Sequence, residues 1–273
     1  MTGPLEFTIL GSGSSGGVPR ADGNWGDCDP AEPKNHRSRC SLLVRRPRQE
    51  GPGQGASSAE TTIVVDTAPD FRLQAVAAGV RRVDAALFTH DHADQAHGID
   101  DLRPFFLNQR TQIPAYMDAP THDGLLTRFD YIFHSKGGYP AICEPRLIPP
   151  LGEDFAIEGP SGAVPVHTFD VDHGGIRAVG YRFGGVAYTP DVLAIPDGSW
   201  ADLADLDVWI VDALRWTPHP THAHVELALE WIARAKPRRA ILTNLHIDLD
   251  FNALASWLPP GVEPAYDGLR FTV

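Results

Sequence analysis

The stretch Thr89-His90-Asp91-His92-Ala93-Asp94-Gln95-Ala96-His97-Gly98 decides how this chain is interpreted. It directly follows the apolar run Val83 to Phe88, so it lies where a strand ends and a loop begins. Because His90 and His92 are separated by one residue, they can point the same way, and Asp94 adds a carboxylate. Neutral imidazole and carboxylate suit Zn²⁺, Mn²⁺ or Fe rather than a metal selected by soft thiolates. The spacing predicts a metal site; the alternative is a polar loop that is rich in histidine by chance.

The composition is that of an ordinary globular chain with an acidic surface. The chain has 273 residues, 42% of them hydrophobic and 21% charged, and a formal net charge of −12 at pH 7. This charge disfavours long nucleic acids, which bind through neutralisation of their phosphates by Lys and Arg. No stretch approaches the roughly 20 apolar residues of a membrane helix, and the N-terminus has no signal-peptide pattern. Three widely spaced cysteines predict no disulfide framework, so we expect a cytoplasmic protein without a membrane partner.

Short strands mixed with a few helices favour a single α/β domain over residues 1–273 rather than two domains. Helical spacing covers Pro69 to Ala78, Asp123 to Phe133 and His224 to Ala235. We expect Ser135 to Pro150 to be mostly loop and Arg45 to Glu60 to be a mobile surface loop. The predicted strands are Leu5–Leu10, Ser41–Val44, Thr61–Asp66, Ile113–Met117, Val164–Phe169, Ala178–Phe183, Gly185–Tyr188, Val208–Val211, Ala240–Leu245 and Leu269–Val273.

Single His and Asp residues that follow later strands are candidates for the remaining metal ligands. His173 comes after the strand that ends at Phe169, Asp191 after Val186 to Tyr188, and His246 after Ile241 to Leu245. Taken singly, each is more commonly a cap or turn residue. Their order and their recurrence after strands favour a shared site.

The stretch from His90 resembles the H-x-H-x-D-H signature of the metallo-β-lactamase superfamily, which consists mostly of dinuclear metal hydrolases. The resemblance extends from Thr8 to Asp248 and implies an αββα sandwich with two divalent ions, zinc or manganese. It implies that the first ion is held by His90, His92 and His173. It also implies that Asp191 bridges the two ions and that the second ion is approached by Asp94, Gln95 and His246.

Two positions depart from the superfamily pattern. Gln95 stands where the signature has its last His, and an amide oxygen binds a metal more weakly than imidazole does. Related sequences often have a His where this chain has Asn244. Because residues 244 and 246 project to the same side of an extended backbone, His246 can substitute. We therefore expect the second ion to be weakly bound.

Further segments resemble the phosphoribosyl cyclic-phosphate phosphodiesterases of the carbon–phosphorus lyase pathway. The matching segments are Gly11 to Pro19, Arg37 to Ser41, Asp66 to Arg72, Gly98 to Arg103, Pro218 to His222 and Leu242 to His246. The resemblance implies a small phosphodiester substrate. A guanidinium suits its anionic oxygens, so the candidate substrate-binding residues are Arg37, Arg39, Arg72 and Arg103. The alternative is that these arginines form structural pairs with nearby Asp70, Asp100 and Asp101.

The predicted activity is metal-dependent hydrolysis of a small, in particular cyclic, phosphodiester by a metal-activated hydroxide. Asp94 or Asp191 would orient the hydroxide, and His222 is the candidate general acid, with a structural residue at a helix start as its alternative. Two other functions stay open: hydrolysis of a carboxylic ester, thioester or lactone at the same site, and a non-catalytic metal-binding module. A homodimer is compatible with the sequence, which does not determine the oligomeric state.

Overall fold

The computed structural model describes residues 3–48 and 60–273, so most of the predicted surface loop from Arg45 to Glu60 lies outside the described residues. The strands are β1 (Glu6–Gly11), β2 (Ser41–Arg46), β3 (Thr61–Val65), β4 (Ala85–Leu87), β5 (Ile113–Met117), β6 (Cys143–Leu147), β7 (Asp154–Ile157), β8 (Val164–Asp172), β9 (Arg177–Phe183), β10 (Val186–Thr189), β11 (Val208–Asp212), β12 (Arg239–Thr243), β13 (Val262–Pro264) and β14 (Arg270–Thr272). The α-helices are α1 (Phe71–Ala77), α2 (Ala93–Ala96), α3 (Arg103–Gln109), α4 (Ala119–Arg128), α5 (Asp130–Phe133), α6 (Val225–Ala235) and α7 (Phe251–Trp257). Three short 3₁₀ segments lie at Pro33–Asn35, Ile99–Leu102 and Asp197–Leu203.

These strands form two sheets of seven that pack face to face. The first sheet has the order β14-β1-β2-β3-β4-β5-β6 and the second the order β13-β12-β11-β10-β9-β8-β7. Alternate side chains along each strand point to opposite faces. In β2, Leu42 and Val44 enter the core between the sheets, whereas Leu43 packs under the helices that cover the first sheet.

Helices cover the outer face of each sheet. Phe71 of α1 and Leu125 of α4 pack on the first sheet, and Val225 of α6 and Leu254 of α7 pack on the second. Strands that are buried on both faces are expected to carry consecutive apolar residues, as Ile63 to Val65 of β3 and Val208 to Val211 of β11 do. The expected αββα sandwich is confirmed.

Several predicted elements differ from the observed ones. β6 lies inside the stretch from Ser135 to Pro150, which was expected to be loop, and it is an edge strand that pairs only with β5. The predicted helix from Asp123 to Phe133 is two helices, because Phe129 has φ −123° and ψ 39° and interrupts the helical path. β6 contains proline and charged residues, which are uncommon in strands, so the sequence did not predict it. The apolar spacing continues through Phe129, so the sequence did not predict the break between α4 and α5.

The topology brings one end of both sheets together. Strands β10, β11 and β12 pair in parallel, as do β3 and β4, so their carboxyl ends share an edge. The loop after β4 is tied to the second sheet: the Val179 N–H donates to the Thr89 carbonyl, and the Tyr181 hydroxyl donates to the Phe88 carbonyl. The histidine-rich loop is thereby fixed against strand β9.

Gly11 allows the loop after β1 to pass close to the neighbouring chain. A Cβ atom at Gly11 would lie 1.9 Å from the Arg39 carbonyl oxygen, closer than any real contact. The glycine run is thus required by packing next to Arg39. Among the residues that the structure describes, we find no helix of the length and apolarity that crossing a membrane requires.

Candidate metal centre

Three histidines from two different sheets converge at the shared end of the sandwich. His90 and His92 lie in the loop between β4 and α2, and His173 directly follows β8. One ring nitrogen of each lies within 4.8 Å of the others. The structure therefore brings together the three residues that the sequence assigned to the first ion.

The hydrogen bonds of His90 leave one ring nitrogen available as a metal donor. The Thr89 N–H and hydroxyl both donate to the buried carboxylate of Asp66, at 2.8 and 3.0 Å. Because the hydroxyl proton is used in this way, the Thr89 oxygen accepts from Nδ1–H of His90 at 3.0 Å. Nε2 then carries a lone pair, and it is buried without a hydrogen-bond partner. A ligand histidine oriented through its other nitrogen has this arrangement.

His173 is oriented in the same way by the backbone. Its Nδ1–H donates to the Thr221 carbonyl at 2.8 Å, so its Nε2 is the unprotonated nitrogen. This atom lies 3.3 Å from Nδ1 of His92. Two ligands at zinc–nitrogen distances of about 2.0–2.1 Å in a tetrahedral site lie roughly 3.3 Å apart. The three histidines fit a single divalent ion.

The protonation states suit metal binding as well. Burial lowers the pKa of His90 well below its usual value, and the neighbouring histidines lower it further. Burial likewise lowers the pKa of His173 to about 4, with a contribution from His222. Both imidazoles are therefore neutral at pH 7, which is the form that binds metals.

A group of buried acidic residues lies beside the histidines. Asp191 follows β10 and Asp212 ends β11; burial raises the pKa of both carboxyl groups. His222 lies between them, with Nδ1 at 2.8 Å from Asp212 and 3.7 Å from Asp191. Burial lowers the pKa of His222, but the charge and hydrogen bond of Asp212 outweigh this effect, and the pKa is about 9 without metal. His173, Asp191 and His222 form a second group whose ligand atoms lie within 4.8 Å of one another. In this group Nδ1 of His222 is engaged by Asp212.

The positions predicted for the second ion differ from the expectation. Asp94 lies on α2 next to the cluster, and its charge raises the pKa of Asp191. Gln95 donates Nε2–H to Asp191 at 2.7 Å. The structure does not bring His246 into the cluster: its Nε2 accepts from Arg20 at 2.5 Å and its Nδ1 bonds Asp248 at 3.1 Å. Both ring nitrogens of His246 are therefore occupied away from the cluster.

The four predicted substrate arginines occupy different environments. The structure does not place Arg37 at an open surface: it is 2% exposed and donates to Asn35 Oδ1 and to the His246 carbonyl. Arg103 pairs with Asp100 at 2.7 Å. Arg72 is exposed, and its charge acts on Asp101. The contacts of these three arginines are those of structural residues rather than of residues that face a substrate.

Arg39 lines a cavity that opens beside the cluster. Its Nε lies 3.0 Å from Asp70. The cavity has a volume of about 590 Å³ and also contains Arg20, which was not predicted from the sequence, and Asp94. Arg20 directly follows the matched segment Gly11 to Pro19, and that adjacency is the signal by which it could have been found. Arg20 donates to His246, and within residues 3–48 and 60–273 no carboxylate forms a salt bridge with it.

Comparison with known proteins identifies the family. The model of the beta-lactamase superfamily domain matches residues 61–247. A crystal structure of a diphosphatase from the PhnP family is 31% identical, with a TM-score of 0.84, and covers 100% of this chain and 98% of its own. Zn²⁺-bound PqqB from Methylobacterium extorquens is 18% identical, with a TM-score of 0.71, over 97% of this chain and 99% of its own, and shares the fold.

An octanoyltransferase from Porphyromonas gingivalis (strain ATCC BAA-308 / W83) is 29% identical over 275 residues. The match covers 97% of this chain but only 51% of that protein, so the chain spans about half the length of this curated relative.

The chain belongs to the metallo-β-lactamase superfamily, and its relatives include the PhnP family. The converging histidines give this fold a candidate metal centre.

Proposed function

We propose that this chain is a metal-dependent hydrolase that cleaves a small phosphodiester or diphosphate. The observation that carries the proposal is the cavity that joins Asp94, next to the histidine cluster, to the guanidinium groups of Arg20 and Arg39. A phosphate placed in this cavity would have the cationic hydrogen-bond donors of Arg20 and Arg39 beside it and would lie next to Asp94. The PhnP-family diphosphatase, at 31% identity, supports the same class of substrate.

Each part of the site has a role in this proposal. A divalent ion held by His90, His92 and His173 would acidify a water and offset negative charge on the substrate. Asp94 orients the attacking water from α2. His222, held at Nδ1 by Asp212, delivers a proton from its other nitrogen to the leaving oxygen.

Arg20 is the proposed phosphate-binding residue. A charge-assisted hydrogen bond contributes about 1.5–3 kcal/mol, or roughly 10- to 150-fold in binding. Since Arg20 is exposed, solvent screening places the expected effect at the lower end of this range. The acidic net charge of −12 opposes long nucleic acids even where one phosphate fits the cavity.

The test compares kcat/KM for bis(p-nitrophenyl) phosphate, a ribose cyclic phosphate, a nucleoside diphosphate, single-stranded RNA and p-nitrophenyl octanoate. We expect a small phosphate substrate to be cleaved best, His92→Ala to abolish turnover, and Arg20→Ala to raise KM about 10-fold. Arg103→Ala is the matched control and should leave KM unchanged, because Arg103 pairs with Asp100 and does not line the cavity.

Acyl-ester hydrolysis is the second candidate, and the similarity to an octanoyltransferase is the observation that favours it. Faster cleavage of p-nitrophenyl octanoate than of every phosphate substrate would replace the phosphodiester proposal with this one.

A further inference from the structure

Two buried amides occupy the positions at which the superfamily pattern places imidazoles for a second ion. Gln95 and Asn244 are each 1% exposed. Nε2 of Gln95 donates to Oδ2 of Asp191 at 2.7 Å. Nδ2 of Asn244 lies 3.0 Å from Nδ1 of His222, 3.2 Å from Oδ1 of Asp212 and 3.5 Å from Oδ1 of Asp191. Both amide nitrogens thus face carboxylate oxygens.

This orientation is opposed to metal binding. An amide nitrogen is a donor of hydrogen bonds and has no lone pair for a cation. Turning Gln95 so that its oxygen faced the site would bring Oε1 against the Asp191 carboxylate and lose a charge-assisted hydrogen bond. The Oε1 atom, which has no hydrogen-bond partner, offers a cation one neutral oxygen in place of an imidazole.

The amides instead donate hydrogen bonds to buried carboxylates that a second ion would otherwise neutralise. Asp191 is buried, and an isolated buried carboxylate is costly unless it is paired or hydrogen-bonded. Nε2–H of Gln95 donates to one of its oxygens at 2.7 Å, and Nδ2 of Asn244 lies 3.5 Å from the other. Asp212 in turn accepts from the Val192 N–H and from His222. The acidic pair therefore has hydrogen-bond donors without a second cation.

We propose that Gln95 and Asn244 replace the second ion and that this chain binds one divalent ion, at His90, His92 and His173. The inference rests on the proposed metal site and is independent of the class of substrate.

Metal stoichiometry of the whole chain provides the direct test. Apo-protein, prepared with chelator, is titrated with Zn²⁺ and with Mn²⁺, and bound ions are counted by native mass spectrometry and by inductively coupled plasma analysis. We expect one tightly bound ion and none bound by His92→Ala under the same conditions. Two ions bound with comparable affinity by the natural chain would overturn the inference, whatever substrate the enzyme cleaves.

Restoring the imidazoles provides the second test. The double variant Gln95→His/Asn244→His is expected to bind a second ion, and Co²⁺ absorption spectra should show a second set of bands. Gln109→His is the matched control, because the Gln109 amide bonds the Val83 backbone outside the cluster; it should still bind one ion.

Removing one amide tests its structural role in the apo-protein. Gln95→Leu should lower the melting temperature without metal, because Asp191 loses its 2.7 Å donor. An unchanged melting temperature would contradict the inference that Gln95 stabilises the carboxylate.

Discussion

Thr89 is expected to control metal affinity although its side chain is not a ligand. Its hydroxyl donates to Asp66 and accepts from Nδ1–H of His90, and this chain of bonds sets which nitrogen of His90 carries the lone pair. Thr89→Val keeps the branched shape and removes the hydroxyl. His90 would then lose the partner that fixes its tautomer and ring orientation.

The expected loss follows from measured effects of partners that support metal ligands. Their removal typically lowers metal affinity 10- to 100-fold, which corresponds to about 1.4–2.7 kcal/mol. We expect the upper half of this range, because Nδ1 of the buried His90 would lose the hydrogen bond to Thr89. The Asp66 carboxylate would keep the Thr89 N–H as a donor.

Competition with a chromophoric chelator measures the dissociation constant for Zn²⁺ in both proteins. Thr168→Val is the matched control, because Thr168 is buried on β8 and its hydroxyl has no hydrogen-bond partner. Its affinity should equal that of the natural chain. Zn²⁺ binding by Thr89→Val that is as tight as that of the control would refute the proposed orientation of His90.

Three further changes separate structural roles from catalytic ones. Arg37→Met should lower the free energy of unfolding by roughly 1–3 kcal/mol in urea titrations, with an unchanged KM, because the guanidinium is buried on structural partners. His246→Ala should raise KM less than Arg20→Ala does and leave metal stoichiometry unchanged, since His246 only positions Arg20. Burial raises the pKa of Asp267 to about 6, so its contribution to stability is present below the ordinary value of 3.8 and lost as pH rises through 6. The difference in melting temperature between the natural chain and Asp267→Asn should therefore change between pH 3.8 and about 6 and stay constant above pH 7.

The sequence predicted the sandwich and the convergence of His90, His92 and His173 because both depend on local patterns. Runs such as Ile63 to Val65 are apolar on both faces, and strands of this kind require cover on each side. His90 and His92 are two residues apart on one loop, so their convergence needs no long-range information. His173 was found because it directly follows a strand whose end lies at the same edge.

The expected and observed environments differ for residues whose contacts come from distant parts of the chain. Arg37 looked like a substrate ligand until burial and the His246 carbonyl, 209 residues away, gave it structural partners. His246 was assigned to the metal from strand alternation, but Asn244 has φ 63°, so the backbone is not extended there. Arg20 was missed because it lies just outside the matched segment Gly11 to Pro19, and it is the fold that places it in the same cavity as Asp94.

The candidate centre is also part of what joins the two sheets. His92 belongs to a loop of the first sheet and His173 to a strand end of the second, and their facing nitrogens are 3.3 Å apart. An ion held by both binds only when the sheets are packed, so its binding free energy adds to the stability of the sandwich. A free ion concentration 100 times its dissociation constant would contribute about 2.7 kcal/mol. In a chain with one ion this contribution depends wholly on the three histidines, whereas Gln95 and Asn244 hold the acidic side with or without metal.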